Sequence, residues 1–133
     1  MTSVFVDTSA FYAVLDADAD NHSTAGRIWH NLISAHQEML CSNYVLVETL
    51  ALLQRRLGIQ AACVFQAAIL PVVQVRWVDE LLHPAGVAAM LTAGRRQLGV
   101  VDYTSFEIMR RTGVMDAFAF DLVFDAQGFR CLR

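Results

Sequence analysis

The order of apolar and polar positions along the chain predicts alternating strands and helices. Val4, Phe5 and Val6 form an unbroken apolar run with β-branched members, the mark of a strand buried on both faces. A helix is expected to follow from about Ser9. Between Ala19 and Ala35 apolar groups recur at helical spacing, with Ile28, Leu32 and Ala35 on one side. "EMLCS" reads as a second strand, and Ser42 or Asn43 is placed to cap the helix "YVLVETLALLQRRLG", with Gly58 as its stop. "IQAACVFQAAIL" predicts a further helix ended by Pro71, and "VVQVRWV" a strand. "HPAGVAAMLTAGRRQLG" predicts a helix with proline near its start and glycine after its arginines. "VVDYTSFEIMRRTG" repeats the opening pattern: an apolar pair, an acid, a polar step, then an amphipathic helix closed by arginines and Gly113. "VMDAFAFD" and "GFRCL" supply the last strands. Together these predict an α/β sandwich around a mostly parallel sheet, one domain over residues 1–133.

Composition sharpens this picture. The hydrophobic fraction of 56% is high, so an apolar contact surface for a second copy or another protein is expected. A net charge of −3 argues against a broad basic stripe that grips duplex by phosphate neutralisation alone; it leaves room for a polyanion held through metal. All ten basic residues are arginine, which removes any mechanism that needs a lysine, Schiff bases and lysine-dependent phosphate loops included. Cys41, Cys63 and Cys131 are odd in number and lack CxxC spacing, against both a disulfide framework and a zinc knuckle, and a reducing cytoplasm is expected. The start lacks a cationic leader, and Gln66, Pro71 and Gln74 interrupt the longer apolar stretches, so a soluble, unprocessed chain is expected.

The acids carry the candidate chemistry. A carboxylate beside a hydrophobic core is costly unless it caps a helix, holds a cation or reaches water. Open parallel sheets bind ligands beyond the carboxyl ends of their strands, near a switch in strand order. Asp7 ends the first strand, Asp102 stands at a predicted strand-to-helix junction and Asp121 ends "DAFAF", so the three are expected on one edge. Glu48 lies within a helix among Tyr44, Val45, Leu46, Val47 and Leu50, neighbours that predict a buried or cleft-lining place. Taken singly, Asp7 and Asp102 also suit N-caps, Asp121 a turn and Glu48 an arginine partner. Taken together, four carboxylates at one edge would repel and raise one another's pKa values unless a cation neutralised them. Oxygen ligands without histidine or cysteine favour magnesium or manganese over zinc, and such a site suits phosphodiester hydrolysis.

The segments "FVDTSAFYAVLD", "YVLVETLALLQRRLG", "VVDYTSFEIMRRTGV" and "AFAFDLVFDAQGF" together resemble the PIN-domain nucleases, most closely the toxin component of VapBC toxin–antitoxin pairs. The resemblance covers nearly the whole chain. It implies a three-layer α/β/α sandwich that cleaves RNA with Mg2+ or Mn2+, commonly as a homodimer, inhibited by a cognate antitoxin protein. By motif it assigns Asp7, Glu48, Asp102 and Asp121 as catalytic metal ligands, with Thr8, Ser9 and Ser105 as candidate orienting residues; helix-start capping suits those three equally. One departure is "DLVF", where Val123 stands at a position that is often His or Asp in this family and so removes an auxiliary contact there. Asp116 and Asp125 read first as surface or turn residues.

Other readings are weaker. A phosphoacceptor signalling domain normally needs a lysine, which this chain lacks. An aspartyl phosphatase needs a second acid two residues after the nucleophile, where "DTS" has serine. A noncatalytic PIN-like binding module that acts by docking would keep the same acids; metal binding and RNA hydrolysis discriminate between the two. The arginine pairs 55–56, 95–96 and 110–111 read as helix-end charges, with RNA phosphate as a second role. His22, His30, His36 and His83 lack ligand spacing, and Trp29, Trp77 and the phenylalanines read as core or contact surface.

Overall fold

Three consecutive apolar residues can all be buried only where both faces of a sheet are covered. β1 (Val4–Val6) meets that condition: all three residues are buried in the computed structural model, which describes residues 3–133. It pairs in parallel with β2 (Met39–Ser42) on one side and β4 (Asp116–Phe118) on the other. β3 (Gln74–Arg76) extends the sheet beyond β2 and β5 (Arg130–Leu132) beyond β4, giving the order β3-β2-β1-β4-β5 with every pair parallel. The chain thus builds outward on one side of β1, then returns to build on the other. The switch in strand order falls between β1 and β4, where such sheets bind ligands.

Helices cover both faces of the sheet, completing the three-layer α/β/α arrangement. They are α1 (Thr8–Leu15), α2 (His22–Ser34), α3 (Asn43–Leu57), α4 (Ile59–Val64), α5 (Leu82–Ala93), α6 (Val100–Thr112) and the short α7 (Val123–Ala126). α1 packs against α2 and α3, α3 against α4, and α5 against α6. α3 starts at Ser42, whose hydroxyl accepts the Val45 N–H at 3.2 Å, and stops at Gly58, which takes φ +95°. α5 and α6 approach so closely at Gly86 that an added Cβ would lie 2.1 Å from Thr104 Oγ1. A larger residue there would require Thr104 or the helix that carries it to shift.

Several expected boundaries move. α5 ends at Gly94 in the left-handed region at φ +64°, so Arg95 and Arg96 lie beyond the helix rather than in its last turn. Val100 and Val101 form the first turn of α6, not a strand. β4 ends at Phe118, and Asp121 falls three residues later in an exposed turn. The helix before Pro71 is not uniform: α4 passes into a π-helical turn over Phe65–Ile69 and a 3-10 turn over Leu70–Val72. Ala35, expected on the apolar face of α2, is its exposed C-cap, while Ala25, Ile28 and Leu32 are buried. Of the two places expected for Trp77, core or contact surface, its 67% exposure sets aside the core. Among the described residues, no helix is long and apolar enough to cross a membrane.

Candidate active site

The strand that buries Val6 delivers Asp7 to the carboxyl edge of the sheet, at the switch point. The Asp7 N–H donates to the Phe118 carbonyl at 3.0 Å, so the residue is fixed between β1 and the end of β4. Its side chain is the N-cap of α1: Oδ2 accepts the Ser9 N–H at 3.1 Å and the Ser9 hydroxyl at 2.7 Å. The Ser9 Oγ in turn accepts the Phe120 N–H at 3.0 Å. One hydroxyl therefore ties Asp7 to the segment leading to Asp121. The capping role and the ligand role are compatible, because Oδ1 takes no part in these bonds.

Asp102 reaches the same region from α6. It occupies the third helical position, and its Oδ2 accepts the Gly99 N–H at 3.2 Å. Gly99, expected to end the helix before it, instead caps the start of α6; the G-x-x-D spacing is the signal of that role. Asp121 is exposed, and its Oδ1 accepts the Val123 N–H at 3.2 Å, leaving Oδ2 unused. Glu48 is exposed, so of the two places its neighbours suggested, buried or cleft-lining, the buried one does not hold. The buried stripe of α3 runs through Val45, Thr49 and Leu53, which turns Val47 and Glu48 outward.

Electrostatics links the four acids. Burial, above all, raises Asp7 to about 6; the two bonds from Ser9 oppose the rise, and the charges of Asp102 and Glu48 add to it. Burial likewise raises Asp102 to about 6, against the Gly99 bond and helped by the charges of Asp121 and Glu48. Among the described residues, no three His, Cys, Asp or Glu side chains already enclose one ion-sized point. The candidate donors nonetheless fit a hard divalent cation in kind: all are oxygens, and each of the four carboxylates keeps at least one oxygen free of protein hydrogen bonds. A cation would also relieve the repulsion that raises Asp7 and Asp102.

The other predicted polar residues point elsewhere. Thr8 Oγ1 shares a hydrogen bond with Thr49 Oγ1 at 3.0 Å and donates to the Val45 carbonyl at 3.4 Å, which ties α1 to α3. Ser105 donates to the Val101 carbonyl within α6 at 2.8 Å. Asp116 pairs with Arg130 at 2.8 Å and Asp125 pairs with Arg133, both as surface ion pairs.

Residues 4–129 match the PIN domain family model. The chain is a PIN-domain protein. It is 39% identical over 127 residues to the 23S rRNA-specific endonuclease VapC20 of Mycobacterium tuberculosis, a match covering 95% of each protein. The PIN domain superposes on the crystal structure of that VapC20, described as a Sarcin-Ricin loop cleaving toxin, with a TM-score of 0.84 at 38% identity over 96% of each chain. It shares its fold with FitAcB of Neisseria gonorrhoeae, at TM-score 0.70 and 14% identity over 98% of this chain and 96% of that one. The same TM-score of 0.70 and identity of 14% relate it to DNA-bound VapBC of Salmonella typhimurium, over 98% of this chain and 97% of that one.

Proposed function

We propose that this PIN domain is a metal-dependent endoribonuclease, the toxin of a toxin–antitoxin pair, that hydrolyses RNA phosphodiester bonds at the carboxyl edge of its sheet. The observation that carries the reading is the placement of Asp7 at the carboxyl edge of the sheet, bonded to the end of β4 and tied through Ser9 to the segment that leads to Asp121, with the charges of Asp102 and Glu48 acting on it. The 39% identity to an rRNA-specific endonuclease supports RNA as the substrate. Asp7, Glu48, Asp102 and Asp121 would hold Mg2+ or Mn2+, which when bound supplies Lewis acidity toward the phosphoryl oxygen and eases deprotonation of water. Ser9 holds Asp7 in place, and Gly99 holds Asp102. Neither Glu48 oxygen has a protein partner, so one could hold the metal while the other accepts a proton from the attacking water.

The partners proposed are RNA, a cognate antitoxin protein and a second copy of the chain. Val47, Ile59 and Leu91, respectively 69%, 60% and 70% exposed, are apolar residues that a protein partner would cover. A reducing cytoplasm suits three free cysteines.

Incubation of the purified, antitoxin-free protein with an RNA pool that includes the sarcin–ricin loop of 23S rRNA, with and without Mg2+ or Mn2+, tests the function. Metal-dependent fragments with discrete ends are expected. Metal binding without hydrolysis would favour the noncatalytic docking module instead.

Ser9→Ala removes the 2.7 Å bond to Asp7 and the acceptor for the Phe120 N–H. Cleavage is expected to fall roughly 10- to 100-fold, the usual cost of losing a group that orients a metal ligand. Ser9→Thr keeps the hydroxyl and should retain most activity. Equal loss in the two variants would show that the hydroxyl does not position Asp7.

A further inference from the structure

The acidic edge poses an electrostatic problem for its proposed substrate. Four carboxylates and a net charge of −3 repel RNA, and a metal at the centre offsets that repulsion chiefly at the scissile phosphate. Flanking phosphates need cations of their own, and only arginine is available in this chain.

Half of the arginines already have partners. Arg56 lies over the Tyr12 ring, Arg110 over Phe106 and Phe129, and Arg111, Arg130 and Arg133 are in ion pairs. Arg95 and Arg96 are exposed and have no side-chain partner among the described residues. They are not helix-end charges either, since α5 closes at Gly94.

Their placement is what singles them out. The turn that carries them is folded by a 3.4 Å bond from the Leu98 N–H to the Arg95 carbonyl and anchored by the buried Leu98. The next residue, Gly99, donates its N–H to Asp102. The two guanidinium groups thus stand on a short, anchored turn that leads directly to a catalytic acid.

We propose that the Arg95–Arg96 turn is a phosphate-binding subsite that grips the RNA backbone beside the scissile bond and sets the strand on the carboxylates. The subsite rests on the ribonuclease reading. Arginine suits it because its planar fork engages two phosphate oxygens at once. Phosphate contacts position a strand without reading its bases, so these residues act on affinity and register rather than on base choice.

The test is steady-state cleavage and direct RNA binding across a salt series for R95A/R96A, R95K/R96K and R130A. Arg130 is an exposed arginine paired with Asp116, the first residue of β4, at the opposite edge of the sheet, so R130A controls for loss of surface positive charge. The double alanine variant is expected to raise KM on the order of tenfold with kcat nearly unchanged, and to reduce the slope of log K against log salt by about 1.4, roughly 0.7 for each lost contact to a single strand. Lysines at both positions should restore most of the affinity, and R130A should behave as wild type. A double alanine variant with wild-type KM and salt slope, or one that loses kcat alone, would overturn the subsite. Arginine-dependent RNA binding without any cleavage by the wild type would retire the nuclease reading and leave the subsite standing. Absence of RNA binding by the wild type would retire both.

Discussion

Asp7→Asn is expected to abolish RNA cleavage while making the metal-free protein more stable. Asparagine keeps the N-cap, because its side-chain oxygen still accepts the Ser9 N–H, so the first helix starts as before. It removes the negative charge that would bind a cation, and the expected loss is at least about a hundredfold in cleavage. The stability gain follows from the raised pKa. A carboxyl in the unfolded chain ionises near 3.8, whereas Asp7 holds its proton to about 6. The fold therefore prefers the neutral form. The contribution of Asp7 to stability is full below pH 3.8 and is lost as pH rises through about 6. At pH 7 the loss is about 2–3 kcal/mol, and Asn avoids it.

Asp102 adds to the same trend with a smaller share, since it is less buried and solvent screens part of its charge. Thermal melts of metal-free protein between pH 4 and pH 8 should show wild type losing several degrees more than Asp7→Asn. Added Mg2+ or Mn2+ should stabilise wild type at pH 7 and leave the variant nearly unmoved. A variant that cleaves RNA at the wild-type rate would refute the catalytic role of Asp7; one that melts lower than wild type in the absence of metal would refute the electrostatic account.

These acids differ in how far the sequence reveals them. Asp7 is legible because an apolar run as short as Val4–Val6 can end in an acid only at the edge of a sheet. Asp102 is legible as an acid at a helix start, but its surroundings are not. "VV" is too short a run to separate strand from helix, and the Gly99–Asp102 capping spacing decides for helix. Asp121 reads as the end of a strand; yet the Phe120 N–H goes to Ser9 rather than to a neighbouring strand, and pairing has already ceased at Phe118. The exposure of Glu48 was recoverable from phase: Val45, Thr49 and Leu53 mark the buried stripe at four-residue steps, and Glu48 falls off it. Arg95 and Arg96 are ambiguous because glycines at 94 and 99 both offer a stop, and the choice between them depends on packing between α5 and α6.

Phe106→Ala should be the most destabilising substitution near the site. Phe106 is fully buried in α6, and its ring centroid lies 5.7 Å from that of Tyr103, 5.2 Å from Phe124 and 6.0 Å from Phe129. Truncation to alanine leaves a cavity among rings that cannot close it, at a cost of about 3–5 kcal/mol. That is a large part of the 5–15 kcal/mol typical of a whole domain. Trp77→Ala, at a residue 67% exposed, should by contrast change stability by only about 0.5 kcal/mol. The aromatic cluster also has a functional reach. It joins α6, which carries Asp102, to Phe124 in α7, the helix whose first residue, Val123, donates its N–H to Asp121. Loosening the cluster should therefore weaken the registration of two proposed metal ligands before the protein unfolds. At temperatures where Phe106→Ala is still folded, its cleavage should require more metal than wild type, while Trp77→Ala shows wild-type metal dependence. Chemical denaturation and a metal titration of cleavage measure the two effects separately. Wild-type stability in Phe106→Ala would mean that the cluster does not hold α6 in place, and lost stability with unchanged metal dependence would mean that the acids keep their positions without it.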